Sequence, residues 1–132
     1  MILALRILNG LLAVLFVYAA AVNFNDPDPV QWVAIYTGGA VATGWAAWHP
    51  GTLAWWAPLV VGAIAAVWAL RLLPRAKGMG FLRIWKGFVE DPGMKTQQIE
   101  EAREFYGLCI TAGAMVLCAL THAFAARMTA HP

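Results

Sequence analysis

Four apolar stretches, each long enough to cross a bilayer and nearly free of charge, constrain this chain more than any other feature. A transmembrane helix needs about 20 largely apolar residues, at 1.5 Å each, to cover roughly 30 Å of hydrocarbon. The stretches cover approximately residues 2–24, 30–48, 53–73 and 102–126. Backbone amides in lipid must be satisfied within the protein, and these stretches lack the alternation of barrel strands, so they read as helices. Of 132 residues, 61% are hydrophobic and 12% charged, which is more apolar surface than a small water-soluble core can hide.

The predicted fold is therefore an all-α integral membrane domain over residues 1–132, a bundle of four transmembrane helices. Arg6 ahead of an apolar run ending in Ala19-Ala20-Ala21 has the look of a secretory leader, but the run is read here as a retained first span. Asn25-Asp26-Pro27-Asp28-Pro29 and His49-Pro50-Gly51-Thr52 are short turn-forming connections, so each joins antiparallel neighbours. The third and fourth spans are separated by a long loop, residues 74–101, that holds most of the charge.

Positive residues are retained on the cytoplasmic side of a membrane. Arg71, Arg75, Lys77, Arg83, Lys86, Lys95 and Arg103 flank or occupy the long loop, against Arg6 and Arg127 at the other end. That asymmetry predicts a cytoplasmic long loop and external termini, most naturally in a bacterial inner (plasma) membrane. All seven acids then fall on the cytoplasmic face. Within the loop, a helical projection of residues 79–90 puts Phe81, Leu82, Ile84, Trp85, Phe88 and Val89 on one arc, with Arg83 and Lys86 opposite. The expectation is an interfacial amphipathic helix whose cations face anionic headgroups.

The acids fall into two motifs. Asp28 before Pro29 suits an N-cap and first helical position, and Asn25 and Asp26 suit side-chain closure of the preceding turn. Glu100, Glu101 and Glu104 suit the positive end of a helix dipole, with Glu100 and Arg103 placed for an ion pair. Thr96 is a plausible N-cap, and a helix from Gln97 to Ala126 would measure about 45 Å. The predicted topology gathers both motifs at one membrane face. Convergent carboxylates there can bind a divalent cation, share protons, or hold a partner's basic residues. Asp26, Asp28, Glu101, Arg103 and Glu104 are the candidate catalytic residues, and the four acids among them the candidate metal ligands. Asn25, Trp32, Tyr36, Arg83 and Lys86 are the candidates for contacting a substrate or partner.

The N-D-P-D turn leading to Trp32 and Tyr36, with Glu100-Glu101-Ala102-Arg103-Glu104 followed by Gly107-Leu108, resembles the transmembrane protein 220 family. The resemblance spans the chain in order and length and implies a small four-helical membrane protein of unestablished activity.

Other groups carry weaker signals. No cofactor is predicted: His49 and His122 end the second span and approach the end of the fourth, at matching depth, and read first as interfacial imidazoles, with a haem or metal held between them as the weaker alternative. Cys109 and Cys118 lie on opposite sides of one helix, about 13 Å apart along its axis, and read as packing residues. Trp45, Trp48, Trp55 and Trp56, with Trp32, Tyr36, Trp85 and Tyr106 at the other end, read as interfacial aromatic belts. Gly38, Gly39, Ala42, Gly44, Gly62 and Ala66 permit close helix approach, within the chain or in a homo-oligomer.

A net charge of +2 excludes nucleic-acid binding by phosphate neutralisation. No P-loop, zinc or nucleophile-elbow signature occurs. The reading that results is a lipid-binding or partner-binding accessory membrane protein working through its cytoplasmic polar face. The alternative is a membrane enzyme acting on a lipid or other hydrophobic substrate through the Asp and Glu cluster.

Overall fold

The computed structural model describes residues 1–26, 28–76, 80 and 97–130, with the side chains of 97–99 and 130 left aside. Among these residues all regular structure is helical: α1 (Ile2–Val22), a 3₁₀ turn (Asn23–Asn25), α2 (Pro29–Trp48), α3 (Ala57–Ala76) and α4 (Gln97–Ala130). The expected amphipathic helix at 79–90, with Arg83 and Lys86, lies outside the described residues apart from Gly80.

Three of the four helices, α1 with its 3₁₀ extension, α3 and α4, are long and apolar enough to cross a membrane. α2 has comparable length at 20 residues and no charged side chain, but is diluted by Gly, Thr, Trp, Tyr and Gln. The boundaries shift in two places. The third helix begins at Ala57 rather than 53, because residues 49–56 form turns and Pro58, needing no amide partner, sits in the first helical turn. It continues to Ala76 through Pro74, instead of stopping before that residue. A proline so near the C-terminal end costs one backbone bond without interrupting a long run. The 34 residues of α4 give a length of about 51 Å.

The helices associate as two antiparallel pairs, α1 with α2 and α3 with α4, while α2 also touches α3 and α4. Arg6 near the start of α1 donates from Nε to the Ala47 carbonyl near the end of α2 at 2.9 Å. A cation there also suits the negative end of the α2 dipole. Asn9 of α1 reaches Thr121 of α4, which puts the start of α1, the α2–α3 turn and the last turns of α4 at one end. The Asn25 turn, the end of α3 and the start of α4 occupy the other end.

The interior is built from small side chains. Ala42, Ala46, Ala65, Ala69, Ala102, Ala119 and Ala125 are buried, whereas Leu3, Leu11, Val14, Ile64, Leu70, Ile110 and Leu120 are exposed. Water would favour the reverse, but lipid does not penalise exposed Leu, and close backbone approach is what small residues provide there. A Cβ added to Gly39 would lie 3.0 Å from the Phe16 ring, and one added to Gly62 would lie 3.0 Å from the Met115 Cβ. Larger residues fill the remaining seams: between the pairs, Trp32 of α2 stacks on Trp68 of α3 with centroids 4.6 Å apart, and within the first pair Phe16 lies against Tyr36 at 6.4 Å.

Gly62→Leu should therefore destabilise the protein by about 1–3 kcal/mol through overpacking of α3 against α4. Gly113→Ala, where an added Cβ meets nothing within 4 Å, should be neutral or stabilising. Thermal unfolding in detergent followed by circular dichroism compares the two.

Candidate functional site

The end of the molecule away from His122 gathers both acidic motifs. The first is placed by the α1–α2 connection. The Asp26 amide donates to the Asn23 carbonyl, and Asn23 itself donates from Nδ2 to the Ala19 carbonyl at 2.7 Å. The turn is thus closed by backbone and by Asn23, a residue the sequence reading passed over, instead of the side chains of Asn25 and Asp26. Asp28 stands at the N-cap of α2 with Pro29 following, as its sequence suggests, but makes no side-chain capping bond. Asn25 and Asp28 are exposed and Asp26 is half-buried.

The second motif winds up α4. Ala102 is fully buried against Ala76, which fixes the rotation of this helix and sends Glu100 and Arg103 outward. The expected Glu100–Arg103 pair does not form; Arg75 at the end of α3 bonds instead to Glu101, at 3.4 Å from Nη1 to Oε1. This contact ties the α3 and α4 ends together.

Tyr36 is where the motifs meet. It lies two turns into α2, and its hydroxyl reaches α4 so closely that a Cβ on Gly107 would stand 2.9 Å from it. The Tyr36 hydroxyl lies within electrostatic reach of Glu104, Arg103 and Asp26. Glu104 in turn lies within reach of Asp26, Glu100, Glu101 and Arg103. The N-D-P-D turn and the E-E-x-R-E segment therefore come to one end of the molecule, with half-buried Glu104 and Asp26 both within electrostatic reach of the Tyr36 phenol. Among the described residues, no group of three or more His, Cys, Asp or Glu is placed to hold a metal ion, and Asp26, Asp28, Glu101 and Glu104 form no such set.

Other sequence candidates take different places. Trp32 is 3% exposed, its ring held between Trp68 and Tyr36, so it packs the core instead of forming an interfacial belt or offering a surface to a partner. Trp45, Trp48, Trp55 and Trp56 are exposed at the opposite end, where Trp45 Nε1 donates to Thr52 Oγ1 at 3.0 Å. Cys118 is buried as a packing residue, while Cys109 is exposed on the helix surface and packs no core. The two histidines have unlike surroundings: exposed His49 lies against Trp45, and His122 is buried with Nδ1 accepting from the Gly51 amide. Asn9 and Thr121, which join α1 to α4, were legible only as lone polar residues in apolar runs.

A helical chain most of whose large aliphatic side chains face outward, whose alanines line the interior and most of whose charges collect at one end is an integral membrane protein. The sequence model of transmembrane family 220 matches residues 15–120, a span that includes both acidic motifs, Tyr36 and Gly107. The chain belongs to that family. No solved structure matches it.

The convergence has a topological consequence. Single cysteines at positions 28 and 101, in a protein with Cys109 and Cys118 replaced by Ala, should react with a membrane-impermeant maleimide from the same side of sealed vesicles. A cysteine at position 52 should react from the opposite side.

Proposed function

We propose that the protein is a membrane-embedded binding or accessory protein whose Glu104 end receives basic groups of a membrane partner. The single observation that carries this reading is the convergence of Asp26, Glu104 and the Tyr36 hydroxyl, from two helices and a turn, beside further acids at Asp28, Glu100 and Glu101. Around Glu104 itself, Asp26, Glu100 and Glu101 lie within electrostatic reach together with Arg103, a local excess of acids that favours a cationic ligand over an anionic one. Half-buried carboxylates interact with a bound cation more strongly than fully solvated ones, and salt weakens the contact less.

In this reading all four helices cross the bilayer as a bundle. α2 lies antiparallel to α1, with Gly44 beside Ala13 and Gly39 beside Phe16, so it shares the depth of α1 despite its lower hydropathy. The basic long loop places the Glu104 end in the cytoplasm and the termini outside, as in a bacterial plasma membrane. Arg71 and Arg75, both exposed, then meet lipid phosphates.

A second reading, an enzyme acting on a lipid or hydrophobic substrate, draws on the half-buried acid beside a phenol, the pairing that general acid–base chemistry uses. Here Glu104 and Asp26 would exchange protons with substrate, oriented by Arg103.

Glu104→Gln and Asp26→Asn, made separately, distinguish the readings. Cross-linking and copurification from native membranes should recover a stoichiometric partner with the parent protein, and at least tenfold less with either variant at unchanged helicity. Full recovery with both variants, or no partner with the parent, overturns the binding reading. Conversion of a copurifying lipid by the parent and its loss in the variants establishes the enzyme.

A further inference from the structure

At the end opposite Glu104, His122 of α4 is buried beneath the α2–α3 turn at 2% exposure, beside Asn9 of α1 and Thr121 of α4, both buried as well. Two hydrogen bonds of different character join the elements that meet there. Asn9 Nδ2 donates to Thr121 Oγ1 at 3.0 Å and ties α1 to α4. The Gly51 backbone N–H donates to His122 Nδ1 at 3.2 Å and ties the turn to α4. Amides and hydroxyls keep their protons across the physiological range, whereas an imidazole changes its own.

The second bond fixes the ring's tautomer. An Nδ1 that accepts carries no proton, so the neutral ring has its proton on Nε2. The one position left for a second proton is therefore Nδ1, the atom that receives Gly51. A proton there would set two N–H donors against each other, and Nε2–H already lies buried without an acceptor. An imidazolium in this place would be a buried cation unpartnered at both nitrogens, a far costlier state than the neutral ring. Its neighbours supply no counter-charge. The charged and titratable groups at this end are Arg6 and the Met1 amino group on α1, His49 on the turn and Arg127 on α4, while α2 and the first turns of α3 contribute none. The described acids, Asp26, Asp28, Glu100, Glu101 and Glu104, all lie at the other end.

The turn is tied to α2 more firmly than to α4. Thr52 donates its amide and its hydroxyl to the His49 carbonyl, at 3.3 and 2.9 Å, and accepts from Trp45 Nε1 at 3.0 Å. Its seat on α4 is close: Gly51 has φ of +80°, and a Cβ there would lie 2.9 Å from the Ala126 amide nitrogen. Among the hydrogen bonds of the described residues, the one from Gly51 to His122 is what runs from this turn to α4.

We propose that the Gly51–His122 contact is a pH-sensitive latch: proton uptake at His122 Nδ1 releases the α2–α3 turn from α4, while the Asn9–Thr121 bond, which contains no titrating group, keeps α1 in place. The released turn exposes an imidazole that titrates at about pH 6.5. The latch is therefore at full strength above that pH, where the ring is neutral whether seated or released, and weakens about tenfold for each unit below it. It answers to the compartment that this end faces and is independent of the Glu104 end.

Nuclear magnetic resonance of ¹⁵N-labelled protein in detergent tests the proposal. At about pH 8 the expected result is an Nε2–H tautomer for His122 and a protected Gly51 amide. Between that and about pH 5, the protection of Gly51 against hydrogen exchange, corrected for the intrinsic effect of pH on exchange, should fall roughly thirtyfold. The Asn9 side-chain amide should keep its contact with Thr121, and His49→Gln should leave the fall unchanged. In His122→Gln a non-titrating acceptor replaces the imidazole, and Gly51 protection should become the same at both ends of the range. An Nδ1–H tautomer at the upper pH, constant protection of Gly51 in the unaltered protein, loss of the Asn9 contact together with that of Gly51, or the same fall in a folded His122→Gln protein overturns the latch. Should that variant fail to fold, the slope decides: a fall that follows one proton and is unmoved by His49→Gln upholds the proposal, and any other overturns it.

Discussion

Once lipid replaces water around a helix, burying Leu against Leu gains little, since acyl chains are as apolar as the side chains they would be traded for. What remains is close contact between surfaces smooth enough to touch, together with the few hydrogen bonds that polar side chains make across them. The packing here follows from that constraint. Gly39 admits the Phe16 ring and Gly62 admits Met115, each at a distance that an added Cβ would violate. Around these points the buried positions are mostly Ala, and the large aliphatic residues are turned outward. The same constraint makes aromatic residues useful between the helix pairs, where Trp32 and Trp68 stack across α2 and α3 over a wide flat surface.

Polarity is handled differently at the two ends. At the Glu104 end the groups are ionisable and half-buried or exposed, and the described ion pair, Arg75 with Glu101, joins an exposed cation to a mostly buried acid. The exposed guanidinium leaves this pair open to solvent screening, so it ties the α3 and α4 ends together only modestly. At the His122 end, inside the exposed Arg6 and Arg127, the polar groups Asn9, Thr121 and His122 are neutral, almost wholly buried, and tied by bonds that run from α4 to α1 and to the α2–α3 turn. Neutral polar groups withstand burial far better than charges do. One end is thus suited to exchange with its surroundings, and the other to holding α1, α4 and the α2–α3 turn in fixed relation.

Most of the helical plan was legible because hydrocarbon thickness imposes a length and apolarity that no other environment demands. The convergence of the N-D-P-D turn with Glu104 was legible for the same reason: two short connections alternate the helix directions and leave no choice of end. Side-chain pairing was not. Glu100 and Arg103 have the spacing of an ion pair, yet buried Ala102 turns both outward and Arg75 meets Glu101. Trp32 has the position of an interfacial belt residue, yet Trp68, more than thirty positions further along, draws it into the core. The third helix passes through Pro74 because a single lost bond near a helix end is affordable, which sequence punctuation alone does not reveal. Local spacing specifies what a residue can do with its own helix, whereas rotation against a neighbour decides what it does.

That distinction accounts for α2, the helix with the weakest membrane signature. Its Gly, Thr, Tyr and Trp residues lower its hydropathy, but several of them, Trp32, Tyr36, Gly39 and Thr43, lie where the other helices approach it. Thr43 returns its hydroxyl to the Gly39 carbonyl at 2.7 Å, and Cys118 of α4 donates to the Ala42 carbonyl at 3.8 Å. Each polar group on this helix that is satisfied by protein need not be hidden from lipid by an apolar neighbour. α1, by contrast, leaves most of its surface uncovered and is the more apolar of the pair. The less apolar helix of this pair is thus the one that packs against α3 and α4 as well, and it is the one that brings Tyr36 to α4.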